Sequence, residues 1–191
     1  MKRRLEIFIL LLSLLFSCSS CRSLSLEGEL LEHKLHTFQR EADELTAQDY
    51  TMTVSLSGNI VETPFIHTNK NILFYIYRDM QLVYWSNSWL SSSDRVMRLV
   101  LDQWHFMQWD NAQGVCHRTK IGDYMVVVAI PLKYNYSITS SQLHNSFIYP
   151  FRGKEEWQLV YRHNREDNVP IYSYDGSYLF SIEESSPNQE M

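Results

Sequence analysis

The sequence predicts an α+β fold: a long N-terminal helix, then an antiparallel sheet with short flanking helices. Three observations carry this. An apolar seam at helical spacing occupies residues 24–48, short β-type runs separated by turn residues fill 72–182, and one of these runs, Tyr124–Ile130, is apolar on both faces.

The first residues have the character of an address. Lys2, Arg3 and Arg4 form a positive start, and Leu5 to Phe16 is apolar apart from Glu6 and Ser13. A run of about a dozen residues suits the apolar centre of a signal peptide better than the roughly 20 needed to span a bilayer. The order Leu15-Phe16-Ser17-Cys18 is similar to a bacterial lipoprotein box, which makes Cys18 the candidate lipidation site. An uncleaved anchor from Leu5 to Leu24 is the alternative. Residues 1–21 are therefore expected to be a signal peptide or membrane anchor. Positive charge ahead of the apolar run places the remainder of the chain on the periplasmic or extracellular face, attached to a membrane.

From 24 to 48 the pattern is an amphipathic helix. Leu31, Leu35, Phe38, Ala42 and Leu45 repeat at intervals of 4, 3, 4 and 3, with Glu27, Glu29, Glu32, Lys34, Arg40, Glu41 and Glu44 on the other faces. Such a seam packs either on its own sheet or on a second copy, so a homodimer through residues 24–48 is a possible assembly.

A main domain is expected over 51–182. Ile72–Tyr77 and Leu82–Trp85 flank the polar turn Arg78–Gln81 as a hairpin. Ser93 can cap a brief helix with Val96, Leu99 and Val100 inward. Trp104–Trp109 and Val115–Thr119 are strands around Asp110–Gly114, and Gly122-Asp123 turns the chain into Tyr124–Ile130, the expected central strand, which Pro131 ends. Residues 137–149 are expected to be helical, with Ile138, Leu143 and Phe147 near one face and Pro150 as the stop. Glu156–Tyr161 alternates as a half-buried strand, and Val169–Tyr174 and Ser177–Ile182 close around Asp175-Gly176, the clearest hairpin signal in the chain. Residues 183–191 form a polar tail. The sum suggests a PAS-like or Cache-like sheet.

Composition narrows the function classes. Of the 191 residues 45% are hydrophobic and 14% aromatic, led by 12 tyrosines, which suits one globular domain after the leader. The net charge of −5, with no basic block after the start, argues against a nucleic-acid partner, which needs a concentrated positive field. Only Cys116 lies in the folded part, so no disulfide framework is implied and a buried thiol is expected. With 6 glycines there is no phosphate-cradling loop, and neither a Gly-x-Ser-x-Gly elbow nor a His-Glu-x-x-His motif occurs. His33 and His36 are expected on the exposed side of the helix without a third ligand, so no metal is expected. Cys116 and His117 are neighbours in a strand and point to opposite faces, so they cannot act together. No catalysis and no cofactor are expected. For a hydrolase, Asp94, Asp102 and Asp110 are the acids to test first.

The candidate ligand site is aromatic. Tyr84, Trp85, Trp89, Trp104 and Trp109, with Asn87 as a polar tip, come from consecutive elements and could line a pocket for a small molecule or a peptide. They could equally be the core and rim of a tyrosine-rich sheet. A structural or protein-interaction lipoprotein acting through its surface helix is the competing function.

Tyr84-Trp-Ser-Asn-Ser88, Tyr124-Met-Val-Val-Val-Ala-Ile-Pro131, Leu143-His-Asn-Ser-Phe147 and the closing run from Ile171 to Ile182 occur in an order and spacing that resembles the extracytoplasmic sensor region of Bacteroidetes-type membrane sensor histidine kinases. The resemblance covers about Asn71 to Ile182. It implies a periplasmic domain that senses a stimulus and passes helix movement inward. The residues after Ile182 hold no second apolar span, phosphoacceptor histidine segment or ATP-binding lobe, so the resemblance implies recognition without kinase activity.

Overall fold

The structure is a computed structural model that describes residues 2–48, 70–88, 90, 94–140, 143–163 and 168–184, with side chains of the first helix from Leu24 onward. Residues 49–69, Trp89, Ser93, the side chain of Cys18 and the tail after Glu184 lie outside the described residues. Among the described residues one α-helix, α1 (Lys2–Gln48), precedes eight strands: β1 (Leu73–Arg78), β2 (Gln81–Trp85), β3 (Trp104–Gln108), β4 (Ala112–Ile121), β5 (Tyr124–Tyr134), β6 (Trp157–Val160), β7 (Val169–Tyr172) and β8 (Tyr178–Glu184). A short 3₁₀ helix, Asp94–Arg98, precedes β3. The strands make a five-stranded sheet of order β2-β1-β5-β4-β3 and a three-stranded sheet of order β6-β8-β7, antiparallel throughout. The architecture is α+β. Among the described residues no helix is long and apolar enough to cross a membrane.

The expected central strand is central. β5 has β1 on one edge and β4 on the other, and a buried apolar cluster covers each of its faces. Val126, Val128, Ile130 and Leu132 face the seam of α1 and the smaller sheet, while Val127 and Ala129 face Leu90, Val96 and Trp109. Period-two alternation thus divides one strand between two apolar layers.

The seam of α1 packs on its own domain. Leu31, Leu35, Phe38 and Ala42 are buried in the same cluster as Phe74, Ile76, Ile171 and Phe180. Gly28 sits on that line, where a Cβ would lie 2.7 Å from Val169 Cγ1, so the glycine sets how closely helix and β7 approach.

One residue on from the seam, a polar stripe meets the free edge of β7. Glu32 Oε2 accepts the Tyr172 N–H at 2.9 Å, His36 Nε2 donates to the Tyr172 carbonyl at 2.9 Å, and Gln39 accepts the Tyr174 N–H at 3.4 Å while donating to Ser173 Oγ at 3.2 Å. An open edge strand is a template for aggregation, and α1 removes it. His36 is therefore half-buried and engaged rather than on the exposed side as expected, whereas His33 is exposed. The far edge of the smaller sheet is covered too: Gln113 donates to the Leu159 carbonyl at 3.3 Å, and Lys133 donates to the carbonyls of Glu155 and Trp157.

Three further expectations about the elements need correction. Pro131 does not end β5, which continues to Tyr134. Pairing with β1 stops at Leu73↔Ala129, and a register shift falls at Gln113/Gly114 opposite, so proline sits where the ladder is already interrupted. Gly114 fits this crossing, where a Cβ would come within 2.3 Å of the Ile130 carbonyl oxygen. Residues 143–149 are not helical, and 137–140 form bends and coil. This segment returns alongside β5, with Tyr134 N–H donating to Ser146 and Ile148 N–H to Leu132, and Asn145 binds the Tyr136 backbone in place of a helical bond. In the short helix Val96 is buried, but Leu99 is only half-buried and Val100 is exposed.

Candidate ligand-binding cleft

The aromatic residues singled out in the sequence do not form one pocket. β2 and β3 occupy opposite edges of the larger sheet, so Tyr84 and Trp85 are separated from Trp104 by β1, β5 and β4. Trp104 lies in the layer facing α1, and Trp109 in the layer on the other face. Trp85 is about half exposed, Asn87 is exposed, and Trp89 is outside the described residues. The expectation rested on consecutive elements being neighbours. The consecutive strands β2 and β3 instead stand at opposite edges of the sheet. An aromatic cluster does form elsewhere, on the smaller sheet: the His163 ring meets Tyr178 at 4.5 Å and Tyr172 at 6.3 Å, and Tyr161 meets Tyr178 at 5.7 Å.

Titratable groups converge where the end of α1 meets β3 and the β7–β8 turn. The Tyr174 hydroxyl donates to Asp43 at 2.5 Å, and burial together with that carboxylate pushes its pKa up to about 12. The His117 ring lies 5.2 Å from Trp104, with Nδ1 buried and unpartnered. Burial holds the His117 pKa below the ordinary imidazole value, against the opposing pull of Asp43 and Asp102. The Trp104 indole N–H is directed toward Tyr174 without closing a hydrogen bond of normal geometry. Thr119 donates its hydroxyl to the Asp102 carboxylate at 2.6 Å. Cys116 is fully buried on the opposite face of β4, and burial pushes its thiol up to about 12, far from a reactive thiolate. Among the described residues no group of three His, Cys, Asp or Glu side chains could hold a metal.

Two clefts remain. The first, about 530 Å³, lies between the sheets and is lined by Gln108, Gln113, Lys133, Asn135, Gln158 and Arg162 among others. Its central groups are already engaged in joining the sheets, Gln113 and Lys133 by their bonds to β6 and the residues before it, and burial holds the Lys133 pKa below its ordinary value. The second, about 740 Å³, runs along the flank of α1 opposite its β7 stripe. Leu30, Leu31 and Phe38 of α1 face Pro150 and Phe151 across it, and Glu27, His33, Lys34, Arg152 and Lys154 surround it.

The walls of this second cleft are preformed. Phe38 and Phe151 rings meet at 5.0 Å, the Phe151 N–H donates to Ile148 at 2.8 Å, and Lys34 Nζ donates to the Pro150 carbonyl at 3.1 Å. Gly153 lies flat on the Phe147 ring, which a Cβ would overlap at 2.4 Å. Leu30 remains 63% exposed above this apolar floor, although its neighbour Leu31 is buried. Leu26 and Leu30, four apart and off the seam, were the readable signal of a second apolar flank. The loop wall was not readable, because residues 137–149 suggested a helix.

Comparisons with protein-family models, curated proteins and solved structures find no match for this chain.

Proposed function

We propose that the chain is an exported, membrane-attached recognition module that binds a ligand in the 740 Å³ cleft beside α1 and performs no catalysis of its own. One observation carries the reading. The wall of the cleft is α1, and α1 continues unbroken from there to the apolar N-terminal stretch. An occupant therefore bears on the element that leads to the leader, as a sensor region requires. The helix laid on an antiparallel sheet of order β2-β1-β5-β4-β3 supports the PAS-like or Cache-like variant of the reading and the kinship to sensor-kinase outer regions. The commitment of the seam to the home core favours ligand recognition over an interaction protein working through that seam. The buried Cys116 thiol, pushed far from a reactive thiolate, supports a non-catalytic role.

Thermal-shift screening of the full chain against small molecules and peptides tests this. A ligand at a hundred times its dissociation constant adds about 2.7 kcal/mol of stability, roughly 5–10 °C in Tm. The effect should vanish in Thr37→Trp, which fills the cleft from an exposed lining position. Hits that stabilise both proteins equally place the site elsewhere and reject the reading.

A further inference from the structure

Resting on that reading, we infer that the ligand of the α1 cleft is a single-chain anionic amphiphile: one acyl chain carrying a carboxylate or phosphate head. Two properties of the cleft, its apolar floor and its charge, select this class.

The floor is hydrocarbon. Leu31, Phe38 and Phe151, each 7% exposed or less, line it with their outer edges beside Pro150, and the 63% exposed Leu30 stands over them. Lining residues of α1 run from Glu27 to Phe38, which at 1.5 Å per residue is roughly 16 Å of helix. With a volume of about 740 Å³, the cleft falls in the range of sites that enclose one small molecule. That shape suits one extended chain.

The rim is cationic in an acidic protein. The whole chain carries −5, yet the cleft is lined by three cations, Lys34, Arg152 and Lys154, against one carboxylate, Glu27, a local balance of +2. Arg152 is exposed and its guanidinium offers the planar fork that matches a carboxylate or a phosphate. Lys34 is tied to the Pro150 carbonyl and Lys154 lies over the Trp157 ring, which holds both beside the cleft mouth; Glu184, outside the lining and 3.8 Å from Lys154, offsets part of that charge. The His33 imidazole adds a further polar group at that mouth. An apolar trough with cations at its rim is complementary to a chain with an anionic head, and it disfavours a cationic one.

Photo-crosslinking tests the assignment on the full chain in zwitterionic nanodiscs, with a dodecanoate probe bearing a terminal diazirine. Labelling is expected on peptides containing residues 30–38 and 150–154, and it should disappear in Thr37→Trp in the same nanodiscs, which cancels simple partition into lipid. Dodecanoate should compete at least about tenfold better than dodecanol, the loss expected when a hydrogen bond to a charged group is removed. Dodecyltrimethylammonium should compete less than either, and acetate not at all. Arg152→Glu with Lys154→Glu turns +2 into −2 and should invert the order of the carboxylate and the ammonium, with an unchanged circular-dichroism spectrum showing that the fold is kept. Equal competition by dodecanoate and dodecanol, an order unmoved by the charge reversal, or labelling outside the cleft overturns the inference. A ligand of another class that is lost in Thr37→Trp also overturns it, yet leaves the recognition reading standing. Absence of any Thr37-sensitive ligand removes both.

Discussion

Replacing Leu35 by alanine asks whether the helix seam belongs to the domain or to a second copy. Leu35 is 0% exposed and sits between Leu31 and Phe38 in the main core, facing a sheet whose backbone cannot collapse into a void. Leucine-to-alanine changes at such sites cost about 2–5 kcal/mol, and a rigid surround puts this one at about 3–5. That is a large part of the 5–15 kcal/mol typical of a whole domain. For a domain of this size it corresponds to a fall of roughly 6–20 °C in Tm. Leu30→Ala, five positions away and 63% exposed, should cost less than about 0.5 kcal/mol. Guanidinium unfolding of both variants and the parent, at two concentrations fifty-fold apart, separates the cases. A seam packed at home gives midpoints independent of concentration, whereas a seam between copies gives midpoints that rise with it. A cost below 1 kcal/mol for Leu35→Ala, or a concentration dependence that this variant abolishes, would refute packing of the seam on its own sheet.

Two further outcomes rest on single contacts. Gly28→Ala should destabilise by up to about 2 kcal/mol: alanine gains about 1 kcal/mol of helix propensity, but its Cβ would stand 2.7 Å from Val169 Cγ1, an overlap costing about 1–3. A double-mutant cycle with Val169→Ala should show coupling of about 1 kcal/mol, and strict additivity would rule the contact out. His117 should make stability pH-dependent. Its folded pKa lies below the ordinary 6.5, so as pH falls past 6.5 the unfolded chain takes up a proton that the native state refuses. Stability is complete above 6.5 and declines below it, by at most about 1.4 kcal/mol per pH unit. Urea midpoints from pH 7.5 to 5.5 should show this slope, and His117→Gln should flatten it. A slope that survives the substitution assigns the effect to another group.

What the sequence revealed and what it hid divide along one physical line. Period and turn chemistry are local, and they were legible. The two-faced run at β5 marked a central strand, Asp175-Gly176 marked a hairpin whose Asp175 accepts bonds from Ser177 and whose Gly176 has φ +85°, and the 4-3-4 seam marked the buried face of α1. Strand order is not local. Trp85 and Trp104 belong to strands at opposite edges of a five-stranded sheet, and nothing in the composition of the residues between them announces that. Residues 137–149 misled for a different reason. Ile138, Leu143 and Phe147 are spaced 5 and 4, close to a helical period, but serine and asparagine side chains there bind backbone groups, and Ile138 is 79% exposed. The cleft wall that this segment leads into was hidden with it.

Three parallel rows on α1 bear on how, in the proposed role, one helix would hold a domain together and also report on a ligand. Leu30, Lys34 and Thr37 face the cleft, Leu31, Leu35, Phe38 and Ala42 face the core, and Glu32, His36, Gln39 and Asp43 face β7 and the turn after it. Each row is offset from the next by one residue, about 100° around the helix axis. No rotation of α1 can therefore improve contact in the cleft row without disturbing the other two. The core row resists, because buried side chains interdigitate and do not slide continuously. The β7 row resists differently, since its bonds are directional and several would lengthen together. Occupancy of the cleft is thus either accommodated without moving the helix, or it moves the helix as a rigid unit between distinct packings. Only the second outcome carries a signal toward the N-terminal stretch, and it requires the polar row at β7 to exchange its partners in one step.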